Sequence, residues 1–184
     1  KLMNVIDRDI RPLIAQPTPL PVNPPACRYT TLSPTILSAG SKVNTVPGEA
    51  VIGFDWRLNP ELSVAWAKEQ IIAACEKVKA EMPGSDYSIH YLGQDNPTLV
   101  PDDTDLVKAF LQSGKDVLGK DMEFSVSPGM DDQKYVVQVG KLQSCIVYGP
   151  GRLTLAHKAD EFANIQEMLD AAKIMAIGAA TLLA

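Results

Sequence analysis

The stretch CIVYGPGRLTLAHKADE, residues 145–161, places one of the chain's two histidines, His157, on a loop between an apolar run and a long apolar-periodic segment. Cys145 to Tyr148 reads as a short buried strand, and Gly149-Pro150-Gly151 ends it in a turn that lets backbone pass close to a ligand. Beyond Glu161 the pattern is helical. Ile165, Met168, Leu169, Ala172, Met175, Ala176, Ala179, Leu182 and Leu183 recur at helical spacing. His157 is thereby presented at the end of a sheet, where open α/β folds place their chemistry. A loop imidazole is a good metal ligand, and a surface or capping histidine is the plain alternative.

Working upstream, SAGSKVNTVPGEAVIGFDWR, residues 38–57, combines a Pro47-Gly48 turn with a strand. Ile52, Phe54 and Trp56 alternate onto one face, and Asp55 and Arg57 point the other way. A guanidinium there suits a carboxylate, because its planar fork makes two charge-assisted hydrogen bonds. The alternatives are a turn-forming Asn44 and a solvated strand Arg57. Between these stretches, SPGMDDQ, residues 127–133, is a turn before a helix through Tyr135, Val136 and Val139, with Asp131 or Asp132 as its cap.

These three segments together resemble the dinuclear zinc amidohydrolases that include acetylornithine deacetylase, succinyl-diaminopimelate desuccinylase, aminoacylase and carboxypeptidase G. In that family a Gly-Pro-Gly-like turn, an Ala-His and a following acidic pair form the last metal-binding motif, so the resemblance makes His157 a zinc ligand. It gives Asn44 and Arg57 the role of substrate contacts in a lid, or dimerisation, domain. Gly129 and Met130 align with residues whose backbone meets the substrate, although Met130 stands where relatives carry a small hydroxyl residue.

The implied fold is α/β. A two-layer βαββαβ (ferredoxin-like) dimerisation domain lacking its first strand spans residues 1–95, followed at 96–184 by the C-terminal part of a three-layer α/β zinc-peptidase-like catalytic domain. The implied activity is hydrolysis of a linear amide or peptide bond in a small carboxylate-bearing substrate. Two zinc ions serve it, with cobalt or manganese as substitutes, in a homodimer formed through the lid domain.

The family's His-x-Asp motif, bridging Asp and Glu-Glu pair, whose first member is the general base, are not visible here. The other histidine, His90, sits in an expected strand, Tyr87 to Leu92, and reads as a surface or packing residue. Asp102-Asp103 precedes Leu106, Val107, Phe110 and Leu111 and reads as a helix cap, with Asp103 capping a helix over 104–118. The expectation is therefore the C-terminal part of a longer enzyme, inactive alone, whose N-terminal catalytic half is a missing partner. A non-catalytic dimerisation module and a small-molecule-binding α/β module are the alternatives.

The remaining organisation is read from pattern. Leu2, Val5, Ile6, Ile10, Leu13 and Ile14 predict an opening amphipathic helix, and five prolines between Gln16 and Pro25 predict an extended loop. Strands near 31–39 and 50–58 precede a helix over 63–81 with Val64, Ala67, Ile71, Ala74, Cys75 and Val78 on one face, closed by Pro83-Gly84. A further strand is expected near 123–126. The 46% hydrophobic content of 184 residues suffices for a core in one ordinary or two small domains. A net charge of −5 argues against a nucleic-acid partner. Cys27, Cys75 and Cys145, odd in number and without metal-like spacing, point to a reducing, cytoplasmic setting, and no run is long enough for a membrane span.

Overall fold

The computed structural model describes residues 1–127 and 129–184. The chain is α/β and divides into two compact units, residues 1–19 with 28–97, and residues 20–27 with 98–184.

The first unit begins with α1, Leu2–Val5, which continues as a π-turn over Ile6–Ile10 and a 3₁₀ turn over Arg11–Ile14. Pro12 supplies a reason for the change of pitch. It has no N–H to give, and its ring would meet the carbonyl four residues back in a regular α-helix. The inward face carries Val5, Ile6, Ile10 and Ile14, all buried, whereas Leu13, expected on that face, is exposed. Two antiparallel strands follow, β1 (Thr31–Ala39) and β2 (Ala50–Arg57), with Thr31 opposite Arg57, Ala39 opposite Ala50, and a register irregularity between Pro34 and Ile36.

Helix α2, Val64–Glu81, starts where Ser63 accepts the Trp66 N–H at 3.1 Å, and it buries Ala67, Ala74 and Cys75. Its inner face, Leu32 and the buried residues of the opening helical segment make one core, with Phe54, Trp56, Trp66, Ile71 and Val78 packed against it. The alternation expected of β2 therefore holds: Phe54 and Trp56 face the core, while Asp55 and Arg57 are exposed. Trp56 and Trp66 meet edge to face at 5.9 Å.

Several expected elements are absent among the described residues. Tyr87 to Leu92 carries no ladder, because side chains rather than backbone hold the segment to α2. Tyr87 bonds Glu76, Lys79 reaches Asp86 at 2.9 Å, Lys68 lies over the Tyr91 ring at 4.5 Å and bonds Gln94, and Asn96 accepts the Val64 N–H at 2.9 Å. The partners descend along α2 as the segment advances, so the chain runs back antiparallel to the helix. The expected strands near 123–126 and 145–148 are likewise unformed. Only an isolated parallel bridge joins Val126 to Val22, with the Val126 N–H on the Pro21 carbonyl at 2.7 Å. A strand exists through a ladder of partners, and beyond that one bridge these runs have none among the described residues.

The second unit is built on α3 (Asp105–Leu118), α4 (Gln133–Gln138) and α5 (Ile165–Leu183). Thr104, not Asp103, caps α3 by accepting the Val107 N–H, and Gly119 ends it in the left-handed conformation at φ 68°. The helix expected after Glu161 forms, but its buried face is not the one lined by the apolar residues that signalled it. Ala171, Ile174 and Gly178 are buried, while Ile165, Met168, Leu169 and Met175 are exposed. Small residues decide which face packs. A Cβ built on Gly178 would lie 3.1 Å from the Phe110 ring and 3.6 Å from Ser113 Oγ, so glycine lets α3 and α5 approach there. No described helix is long and apolar enough to cross a membrane.

Candidate functional site

The loop that carries His157 is a series of tight turns. After Gly151, at φ 95°, residues Leu153–Leu155 form a 3₁₀ turn. The N–H groups of Leu155, Ala156 and Lys158 each donate to a carbonyl three residues back, on Arg152, Leu153 and Leu155, at 2.9 to 3.2 Å. His157 breaks the series. Its backbone stands at φ 61°, and its N–H donates to Glu161 Oε2 at 3.0 Å. Left-handed backbone is disfavoured for any residue with a Cβ, so it persists where neighbouring contacts specify it. The imidazole is exposed and makes no hydrogen bond among the described residues. Asp160 is also left-handed, at φ 60°, so the acidic pair lies on the same tightly wound backbone.

As a metal ligand His157 is chemically apt, since an exposed imidazole offers a nitrogen lone pair. It is one donor. No group of three or more His, Cys, Asp or Glu that could hold a metal ion occurs among the described residues, and a catalytic zinc takes three protein ligands. The described residues thus place no second and third donor beside His157.

Asn44 and Arg57 both belong to the first unit and are exposed. Asn44 lies in the β1–β2 loop, beside a turn in which the Thr45 N–H meets the Lys42 carbonyl at 3.3 Å. Arg57 lies at the far end of β2, opposite Thr31. The ladder from Ala50 to Arg57 spans about 24 Å at strand rise, so the fold puts the two at opposite ends of the hairpin and no hydrogen bond links them. Arg57 Nε donates to Asp55 Oδ2 at 2.8 Å, which steadies the guanidinium on the solvent side of the strand.

Gly129, Met130 and His157 belong to the second unit. Pro128 of the 127–133 turn lies outside the described residues. The Gly129 N–H donates to Ser127 Oγ at 3.2 Å, and Met130 is exposed with its sulfur 3.0 Å from Lys134 Nζ. Of the two candidate caps, Asp131 accepts the Gln133 N–H at 3.0 Å, while Asp132 makes no side-chain cap bond. Gln133 then reaches the Cys145 carbonyl at 2.6 Å, tying this turn to the run that leads into the His157 loop. Sequence reasoning gave Glu161 no role. Its place four residues after His157, inside the quoted motif, was the available signal.

Residues 7–179 match the model of Peptidase family M20/M25/M40. The chain is 27% identical over 139 residues to a succinyl-diaminopimelate desuccinylase of Marinobacter nauticus, covering 76% of this chain and 35% of that protein. It is 25% identical over 161 residues to an uncharacterized metallohydrolase of Methanocaldococcus jannaschii, covering 79% and 37%. In fold it is similar to the crystal structure of an M20 family metallo-carboxypeptidase from Sulfolobus solfataricus, with a TM-score of 0.65 at 21% identity over 82% of this chain and 35% of that one. The chain thus spans about a third of the length of the relatives it matches. With the match running through both units, from the opening helical segment to α5, the chain belongs to Peptidase family M20/M25/M40.

Proposed function

We propose that this chain is the C-terminal part of a zinc-dependent hydrolase that cleaves a linear amide or peptide bond in an N-acyl amino acid or small peptide. The observation that carries the reading is the family match over residues 7–179, within which His157 stands exposed on a tightly wound loop. Residues 1–95 serve as the lid domain, of βαββαβ type lacking its first strand and here without a ladder at 87–92, through which two copies pair, and residues 96–184 as the end of the catalytic domain. The matched relatives, a desuccinylase and a metallohydrolase by name, extend well beyond the aligned stretch, which leaves room for further ligands and a general base outside this chain.

Zinc, when bound, supplies Lewis-acid polarisation of the scissile carbonyl and a water nucleophile at neutral pH. His157 contributes one imidazole to a two-ion centre. Arg57 holds the substrate carboxylate through its fork; Asn44, at the other end of the same hairpin, would be a substrate contact that Arg57 of the same chain does not share. The Gly129–Met130 turn offers backbone to the substrate. The Met130 side chain brings no hydroxyl and adds apolar surface instead.

The test is expression of the longer protein that carries this chain, with zinc analysis and assays on N-acetyl amino acids, N-succinyl amino acids and dipeptides. The expected result is about two zinc ions per chain, as a two-metal site requires, turnover of one substrate class, and loss of zinc in His157→Ala. A zinc-free protein without turnover on all three classes would overturn the reading.

A further inference from the structure

We propose that Glu161 is a positioning residue that sets the direction of the His157 imidazole; the proposal rests on the reading of His157 as a metal ligand.

Two observations carry it. The first is the interrupted turn series. Leu155, Ala156 and Lys158 all give their N–H groups to backbone carbonyls, and only the His157 N–H in that run is taken by a side chain, Glu161 Oε2 at 3.0 Å. The second is the left-handed backbone of His157 itself, φ 61°. A carboxylate accepting a backbone N–H is a charge-assisted bond, stronger than the neutral bonds on either side. It closes a ring from residue 161 back to 157 and fixes the peptide plane that enters His157. Without that acceptor the residue is free to return to right-handed backbone, which swings the Cα–Cβ bond and aims the ring elsewhere. Glu161 would touch neither metal nor substrate. Its effect passes through the His157 backbone.

Charge and reach can be separated by two substitutions. Glu161→Gln keeps the length of the side chain and an acceptor oxygen but loses the charge, and Glu161→Asp keeps the charge but is one methylene too short. Each is made, with Glu161→Ala and a His157→Ala control, in the zinc-loaded protein that carries this chain, and zinc affinity is measured by chelator competition. The His157 amide shift and exchange rate are followed by NMR in the 184-residue chain. Positioning predicts that Ala and Asp weaken zinc binding about 10- to 100-fold, the range for residues that orient a ligand. It also predicts an upfield shift and faster exchange of the His157 amide in both, with Gln recovering most of both readouts. A purely electrostatic role gives the reverse order, Asp normal and Gln weak, and overturns the proposal. Unchanged zinc affinity in all three Glu161 variants, with affinity lost in His157→Ala, overturns it while leaving His157 a ligand. Unchanged affinity in His157→Ala overturns the metal reading and the proposal with it.

Discussion

Arg57 Nε lies 2.8 Å from Asp55 Oδ2, two residues away on the solvent face of β2. Such an exposed pair contributes about 0–1 kcal/mol to stability, so its consequence is orientation: the Nε is taken by Asp55, which holds the guanidinium on the solvent side of the strand. If Arg57 takes the substrate carboxylate, Arg57→Lys in the longer enzyme should raise KM about tenfold or more, since a point charge cannot reproduce the fork. Thermal stability should stay near that of the parent. Asp55→Ala should produce a smaller rise in KM, because the guanidinium remains but is no longer steadied. Steady-state kinetics on a carboxylate-bearing substrate and on its amide analogue would check this. An equal effect on both substrates would remove Arg57 from carboxylate binding.

The packing of α5 gives a second expectation. Ile174 is 0% exposed and Ile165 is 76% exposed. Ile174→Ala should cost about 2–5 kcal/mol, the range for deleting a buried branched side chain. Ile165→Ala should change stability by less than about 0.5 kcal/mol. Urea unfolding of the 184-residue chain distinguishes them, and similar losses at both positions would mean that the face bearing Ile165 is covered in solution.

That contrast also shows where sequence reading stops. The extents of α2, α3 and α5 were legible from apolar residues recurring at helical spacing, but the caps were not: Ser63, Thr104 rather than Asp103, and Asn164 each accept an N–H of the first turn. Which face of α5 is buried was not, because apolar residues lie on several of its faces. The choice falls to Gly178 against Phe110 and Ser113, residues more than sixty positions apart. The runs 87–92 and 145–148 have strand composition, yet strand formation depends on a partner, and side-chain ties to α2 hold the first of them instead. At the site, the His157 motif stood out as a pattern. The Glu161 bond did not, since a side chain reaching four residues back across irregular turns has no periodic signature.

The two aspartates before α4 should behave differently despite being neighbours. Asp131 accepts the Gln133 N–H, whereas Asp132 makes no cap bond. Asp131→Ala should destabilise the turn by about 1 kcal/mol, the usual cost of losing a cap, and Asp132→Ala should have little effect. Hydrogen exchange at the Gln133 amide would report the difference. Equal protection in the two variants would mean that the cap is shared.

Asp9 predicts how the first unit responds to acid. Its carboxylate accepts from Arg8 at 2.7 Å and from Lys77 of α2 at 2.8 Å. The hydrogen bond from Arg8, and then that from Lys77, hold its pKa well below the ordinary 3.8. A carboxyl whose folded pKa is depressed favours the folded state above the unfolded value, and that contribution fades as pH falls from about 3.8 toward the folded value. Asp9→Asn should therefore be less stable than the parent near neutral pH, and the gap should narrow only below about pH 4. Urea midpoints measured near pH 6, 4 and 2.5 would trace it. A gap that stays constant down to the lowest pH would show that Asp9 acts through packing rather than through its charge, and that the link between the opening helical segment and α2 does not depend on ionisation.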